Sequence, residues 1–425
     1  MLPKVTGLEP ASSPLFRNRN FVRLWAAQVV SLTAENANHL ALMVLAEERT
    51  HASLPVAMVV LSFSLPGVLW GVAAGATVDR LDRRWVLVLS NVLRGLLAIG
   101  YLIVHRLLPG HWLLPGIYLL TFALSSVGQF SGPAEAAIIP HLVGVERLLQ
   151  ANSLTSLTTL GAQGAGFVAL GPLLIKLGGV EAVYIINVTL YGVAAVLVWT
   201  LPARGQPEPQ SSNPVDVSQV WSLRAAIREG WAFIFGEAQV SLAMLHVTVA
   251  SALVAMLVVI GPGFAARSLG IRVEDGAYLA TPAGIGLGAG AVLLGRCGRT
   301  LSKVRWSQLG LFLIIGSLVG MAWIAAQVQP GNWLLVLLVL FVGLGLGLAL
   351  LTIPSQTTLQ ERSPSQVRGR VFSVQALANN VVSIPPMLLA GGLADLIGIQ
   401  RVLLLMALVV VGAATAIRRA RWKGL

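Results

Sequence analysis

Charge is scarce in this chain. Only 11% of its 425 residues are Asp, Glu, Lys or Arg, against 56% hydrophobic. A water-soluble domain carries roughly a quarter charged residues. Too few are present to cover a surface facing water, so most of the surface must face lipid. Cysteine is nearly absent too: Cys297 stands alone, which excludes an internal disulfide framework. The chain has no His-Glu-x-x-His, no Gly-x-x-x-x-Gly-Lys-Ser/Thr and no Gly-x-Ser-x-Gly. Its histidines (His39, His51, His105, His111, His141 and His246) fall at no metal-ligand spacing. No catalytic residue, metal ligand or cofactor is therefore expected, and the reading is not an enzyme. Without a phosphate loop, any pumping must draw on an ion gradient or on the substrate itself. The first twenty residues are polar with scattered arginines and show no small-residue cleavage site, so no cleaved signal is expected.

What the chain has in abundance is long apolar runs. They cover 21–46, 55–78, 85–105, 112–139, 150–175, 181–201, 239–262, 277–294, 304–327, 333–353, 370–394 and 399–417. A hydrocarbon core of about 30 Å needs roughly twenty helical residues at 1.5 Å each, and most runs have that length. The net charge of +12 first suggests nucleic acid, but its placement argues otherwise. With twelve spans, 22 of the 29 Lys and Arg fall on the side of both termini and 6 on the other, with Arg94 inside a span. That asymmetry places both termini in the cytoplasm and removes nucleic acid as a partner. The reading is an all-α integral membrane protein of the plasma membrane, twelve transmembrane helices in two six-helix bundles. Residues 1–20 form a cytoplasmic tail and 21–201 the first bundle. A Pro-, Ser- and Gln-rich linker with an amphipathic helix at 219–236 fills 202–238. The second bundle is 239–417, and 418–425 is a basic tail. The 44 glycines suit close helix packing in lipid.

Between the second and third runs lies Gly71–Arg84, GVAAGATVDRLDRR. Gly71, Gly75, Asp79, Arg80, Arg83 and Arg84 resemble the loop signature of the major facilitator superfamily, Gly-x-x-x-Asp-Arg-x-Gly-Arg-Arg. Asp82 occupies the slot that usually holds glycine. At an offset of 216 residues Pro66 meets Pro282, Arg80 meets Arg296 and Arg83 meets Arg299, a degraded copy with Gly295 in place of the acid. The run GAQGAGFVALGPLLIKLGG, with Gly171, Pro172, Gly178 and Gly179, looks like the antiporter motif of drug-efflux branches, or like ordinary glycine packing. The start FRNRNFVRLWAAQVVS, GPAEAAIIPHLV and RGRVFS resemble a bacterial efflux branch of macrolide, enterobactin and lysophospholipid transporters. That resemblance implies two bundles rocking about a central cavity, with no cofactor.

Polar groups inside the runs are the candidate site residues, because ionisable groups are costly in lipid and usually face a cavity or a partner. Glu35, Asn36, Asn38 and His39 break the first run, and Glu35 and His39 share a helix face. Arg94 lies midway in the third, either as a counter-charge to Glu35, as a holder of an anionic substrate, or as a structural arginine. Gln129, Gln163, Asn379 and Asn380 supply further polarity. Glu135, between Pro133 and Pro140, reads as an interface charge near the cytoplasmic end. The leading expectation is a monomeric secondary exporter of an amphipathic small molecule of drug or siderophore type. It would be proton-coupled through Glu35, since an apolar site favours the protonated form of a carboxyl. The alternatives are a lysophospholipid transporter without proton coupling, with Arg94 on the phosphate, and a transport-inactive membrane receptor. Ser363, Pro364 and Gln366 form a helix-start signal before the eleventh run. Asp79 is expected to latch there against Arg368, Arg370 and the helix N-terminus.

Overall fold

The computed structural model describes residues 15–78, 81–144, 147–202, 228, 231–298, 300–327, 333–363 and 365–422. Helices α1 (Arg19–Thr50), α2 (Ser53–Val78), α3 (Arg83–Leu107) and α4 (Gly110–Val143) come first. Then α5 (Leu148–Gly164) passes through a π-helical stretch, Ala165–Leu170, into α6 (Gly171–Trp199). After the linker come α7 (Ala238–Gly263), a π-helical turn at Phe264–Ser268 and a 3₁₀ segment at Val273–Leu279. The chain ends with α8 (Ala280–Cys297), α9 (Lys303–Ala325), α10 (Leu334–Arg362), α11 (Ser365–Ile397) and α12 (Ile399–Trp422). Ten helical stretches among the described residues are long and apolar enough to cross a membrane.

The residues fall into two compact units. The first holds the described residues to Leu45 and those from Val59 through α6. The second holds Ala46–Met58 and the described residues from Trp231 onward. Within the first, α3 packs on α4 and α6; within the second, α10 packs on α8 and α9, and α11 on α7.

Helix α3 shows why this is a membrane fold. Its buried face carries Ser90, Asn91, Arg94 and Tyr101 at helical spacing, while Leu89, Leu96 and Ile103 are exposed. A helix in water turns its apolar stripe inward; here the polar stripe is inside and leucines cover the outside. Helix α1 runs unbroken from Arg19 to Thr50 through the polar residues that interrupt the first apolar run. Asn36 is accommodated by its own helix, its Nδ2 donating to Leu32 O at 2.8 Å.

Glycine decides two features of the first unit. A Cβ on Gly166 would stand 2.4 Å from Thr33 O and 2.7 Å from Asn36 Cβ, and one on Gly171 2.9 Å from Leu40 Cδ2. These positions let α5 and α6 lie directly on α1. The π-helical stretch falls beside Pro172, whose missing N–H loosens the ladder. Gly178 and Gly179 then leave helical geometry, Gly179 at φ 68° and ψ −170°, a region open essentially to glycine alone. In this chain the terminal glycine pair of the antiporter-like stretch makes a turn between two helical segments.

The helix start expected at Ser363–Gln366 is occupied by α11, which begins at Ser365; Pro364 and the side chain of Gln366 lie outside the described residues. Of the expected amphipathic helix, 231–236 is helical and the rest, apart from Arg228, lies outside them.

Candidate functional site

The site grows from Arg94. It is 4% exposed, and its Nη2 lies 3.5 Å from Glu35 Oε2 on α1. This contact is the geometry that the counter-charge reading expects. Two other helices shape its place. On α4, a Cβ at Gly128 would stand 2.5 Å from Arg94 Nη2, so glycine there is the space the guanidinium fills. On α6, the Tyr191 ring centroid is 5.9 Å from Arg94 Cζ, within cation–π range. Also on α4, Glu135 is close enough to act on both Arg94 and Glu35. Glu135 was read as an interface charge; the structure brings it to the pair. The signal was available, since an acid inside an apolar run is the same argument that selected Glu35.

The pair is asymmetric. The Arg94 side chain is 5% exposed and that of Glu35 19%, so the carboxylate end is the accessible one. Beneath it α1 and α3 are tied by Ser31 Oγ donating to Asn91 Oδ1 at 2.5 Å, with Asn91 Nδ2 donating to Leu87 O. Three tyrosines of the unit are fully buried: Tyr101, Tyr184 and Tyr191. Tyr101 and Tyr184 stack at 5.3 Å, and Tyr101 OH donates to Thr121 Oγ1 at 3.0 Å. These tyrosines belong to no sequence motif.

The other candidates divide. Asn38 is buried beside Tyr101. His39 stacks on Phe63 of α2 with ring centroids 4.1 Å apart. Gln129 lies against Gly67 of α2. Gln163 is exposed on α5. In the second unit Asn379 is half-buried with Oδ1 lacking a hydrogen bond, and Asn380 is exposed.

Around the motif, Asp82 is the N-cap of α3, its side chain accepting from Arg84 N at 2.9 Å. An acid there satisfies an orphan helix N–H, which glycine cannot do. Arg83 Nη1 donates to Ala137 O at 3.2 Å and meets His141 Nε2 at 2.9 Å on α4. Arg84 donates to Trp199 O at the end of α6. Gly71 and Gly75 face open space. Asp79 and Arg80 lie outside the described residues, as do the side chains of Arg368 and Arg370.

A bundle of lipid-facing helices with buried opposite charges, and two arginines at the start of α3 pinned to neighbouring helices, is the build of a multi-pass membrane transporter. The chain belongs to the Major Facilitator Superfamily, whose family model matches residues 24–385. It is 28% identical over 414 residues to an uncharacterized MFS-type transporter, YfiS, of Bacillus subtilis, covering 95% of this chain and 94% of that protein. It is 30% identical over 386 residues to the enterobactin exporter EntS of Shigella boydii serotype 18, covering 88% and 85%. Among solved structures, a bacterial homologue of the iron transporter ferroportin in an inward-facing state superposes with a TM-score of 0.73 at 14% identity, over 96% of this chain and 99% of that one. A bacterial homolog of the human lysosomal transporter Spinster gives 0.71 at 15% identity, over 96% and 97%. These two likenesses show the fold. The chain is thus a membrane transporter and not an enzyme, and its bacterial relatives place it in the inner membrane.

Proposed function

We propose that this protein is a monomeric, proton-coupled exporter of an amphipathic small molecule, working by alternating access. The observation that carries the reading is the Glu35–Arg94 pair: a buried arginine holding a partly exposed carboxylate 3.5 Å away. A proton on Glu35 cancels its attraction for Arg94, so proton binding and the state of the pair are linked. Glu135 offers Arg94 a second carboxylate, and an arginine moving between two acids is a device for coupling. Export is supported by the likeness to EntS. The same likeness to an enterobactin exporter supports a drug- or siderophore-like substrate. Asn379 and Asn380 would add polarity from the second bundle.

The span count is part of the proposal. Gln150–Trp199 is 50 residues of apolar helix, about 75 Å if straight, more than twice the core. Broken at Gly178–Gly179, it makes two crossings. Counting also the shorter apolar helix Ile399–Gly412, the chain crosses twelve times with both termini cytoplasmic. Asp79 then faces the cytoplasm and latches against the start of α11.

The test is flux in proteoliposomes with an imposed pH gradient. Glu35→Gln is expected to abolish the dependence of transport on the gradient while substrate binding persists. Unchanged gradient dependence removes Glu35 as the coupling group. A second reading draws on Arg94 Nε, which has no hydrogen-bond partner and could meet a lysophospholipid phosphate. It is favoured if lysolipid moves undiminished after the proton gradient is collapsed.

A further inference from the structure

Charged groups that this mechanism leaves unused gather at the far end of α1, about 18 Å along the helix from Glu35. Glu47 is 0% exposed. Arg267, in the π-helical turn after α7, places Nε 3.0 Å from Glu47 Oε1. At that distance the two form an ion pair. The same guanidinium reaches Asp395 of α11, Nη1 to Oδ1 at 3.2 Å, and donates to Ser53 Oγ. Asp395 accepts from the backbone N–H of Ser53 at 2.6 Å and of Leu54 at 2.8 Å, the first two residues of α2. One turn earlier on α11, a Cβ at Gly391 would stand 3.0 Å from Ser53 O. All of these residues belong to the second unit, although Ala46–Met58 is the tip that joins α1 to α2.

Two carboxylates therefore share one guanidinium, on unequal terms. Asp395 is also met by two N–H groups and the positive end of α2. For Glu47 the close cation is Arg267, with His51 and Asp395 the other titratable groups that act on it. A buried carboxylate that loses its cation is costly to leave charged, and a proton relieves the cost.

We propose that Glu47, Arg267 and Asp395 form a clasp that opens in each transport cycle, and that Glu47 binds a proton when Arg267 leaves it. Glu47 would be a second coupling carboxylate, distinct from Glu35. This rests on the proton-coupled reading given above.

The test places spin labels on cysteines at Leu54 and Leu396, both exposed, in a Cys297→Ser background reconstituted in nanodiscs. Pulsed electron resonance then reads the distance between them at neutral and acidic pH. The unaltered clasp is expected to shift toward longer distances on acidification. Glu47→Gln should show the long distance already at neutral pH and lose the pH response, and Glu47→Asp, which keeps the carboxyl, should retain it. Identical distributions for unaltered protein and Glu47→Gln at both pH values overturn the clasp. Flux is measured on the same preparations. Flux indifferent to a pH gradient, beside an intact pH response of the distance, overturns the proton-coupled reading and keeps the titrating clasp. Proton-driven flux beside an unresponsive distance overturns the clasp.

Discussion

At the scale of single residues, what matters is which polar group satisfies which. Asp82 departs from the family pattern and is explained by a cap: it accepts from Arg84 N at the start of α3. Asp82→Ala is expected to lower stability by about 1 kcal/mol and Asp82→Gly, which restores the family residue, by only a few tenths. Thermal unfolding in detergent checks the order; an alanine variant as stable as the glycine one would show that the cap contributes nothing. The cap was legible, since an acid directly before a helix is a strong start signal, but the family pattern drew attention to the missing glycine instead. Glu35 and Arg94 were legible one at a time, as charges in apolar runs. Their 3.5 Å contact was one of three readings left open, because nothing in a sequence says which faces of α1 and α3 meet. Glycine at position 128 was less legible still: its meaning is the side chain that fills its place.

At the scale of helices, the second unit is held by backbone approaching backbone. A Cβ on Gly345 of α10 would stand 1.8 Å from Ala283 O of α8, and one on Gly286 of α8 2.0 Å from Val342 O. On the other face of α10, a Cβ on Gly347 would stand 2.8 Å from Gly310 O of α9. In lipid no hydrophobic effect drives two apolar helices together, so close packing of this kind carries their association. Gly345→Ala should therefore push α8 from α10 and cost roughly 1–3 kcal/mol, the range for overpacking. Gly284, on the same α8 but with nothing within 4 Å, is the control: Gly284→Ala should leave the unfolding temperature unchanged. Equal effects of the two substitutions would show that glycine spacing does not set this contact. The sequence announced many glycines and could not sort them. Gly343, Gly345 and Gly347 look alike in the chain, yet only the facing helix makes 345 and 347 intolerant of a methyl group. The glycine pair at 178–179 shows the reverse case. Its place in an antiporter-like stretch leaves two readings open in the sequence, and the backbone at Gly179 shows a turn that only glycine makes readily.

At the scale of the whole molecule, membrane character was the most legible property, because it is a sum over hundreds of residues and needs no contact to be known. Orientation is a similar sum. Of 29 Lys and Arg, 22 lie in the tails, loops and helix ends of one proposed face, and translocating that many charges is unfavourable. The clasp at Glu47 was invisible on the same reasoning: its partners are Arg267 and Asp395, hundreds of residues apart and in no motif. The proposed orientation puts the motif loop and the clasp on opposite faces of the membrane. Single cysteines in a Cys297→Ser background test this in cells with an impermeant thiol reagent. Leu54→Cys should react from outside, whereas Leu81→Cys, in the motif loop, should be protected until the membrane is opened. Adding Asp79→Asn should raise the reactivity of Leu81→Cys in inverted vesicles, because the cytoplasmic latch then spends less time closed. Reaction of Leu81→Cys from outside would invert the topology. Unaltered reactivity with Asp79→Asn would leave the orientation standing and remove the latch.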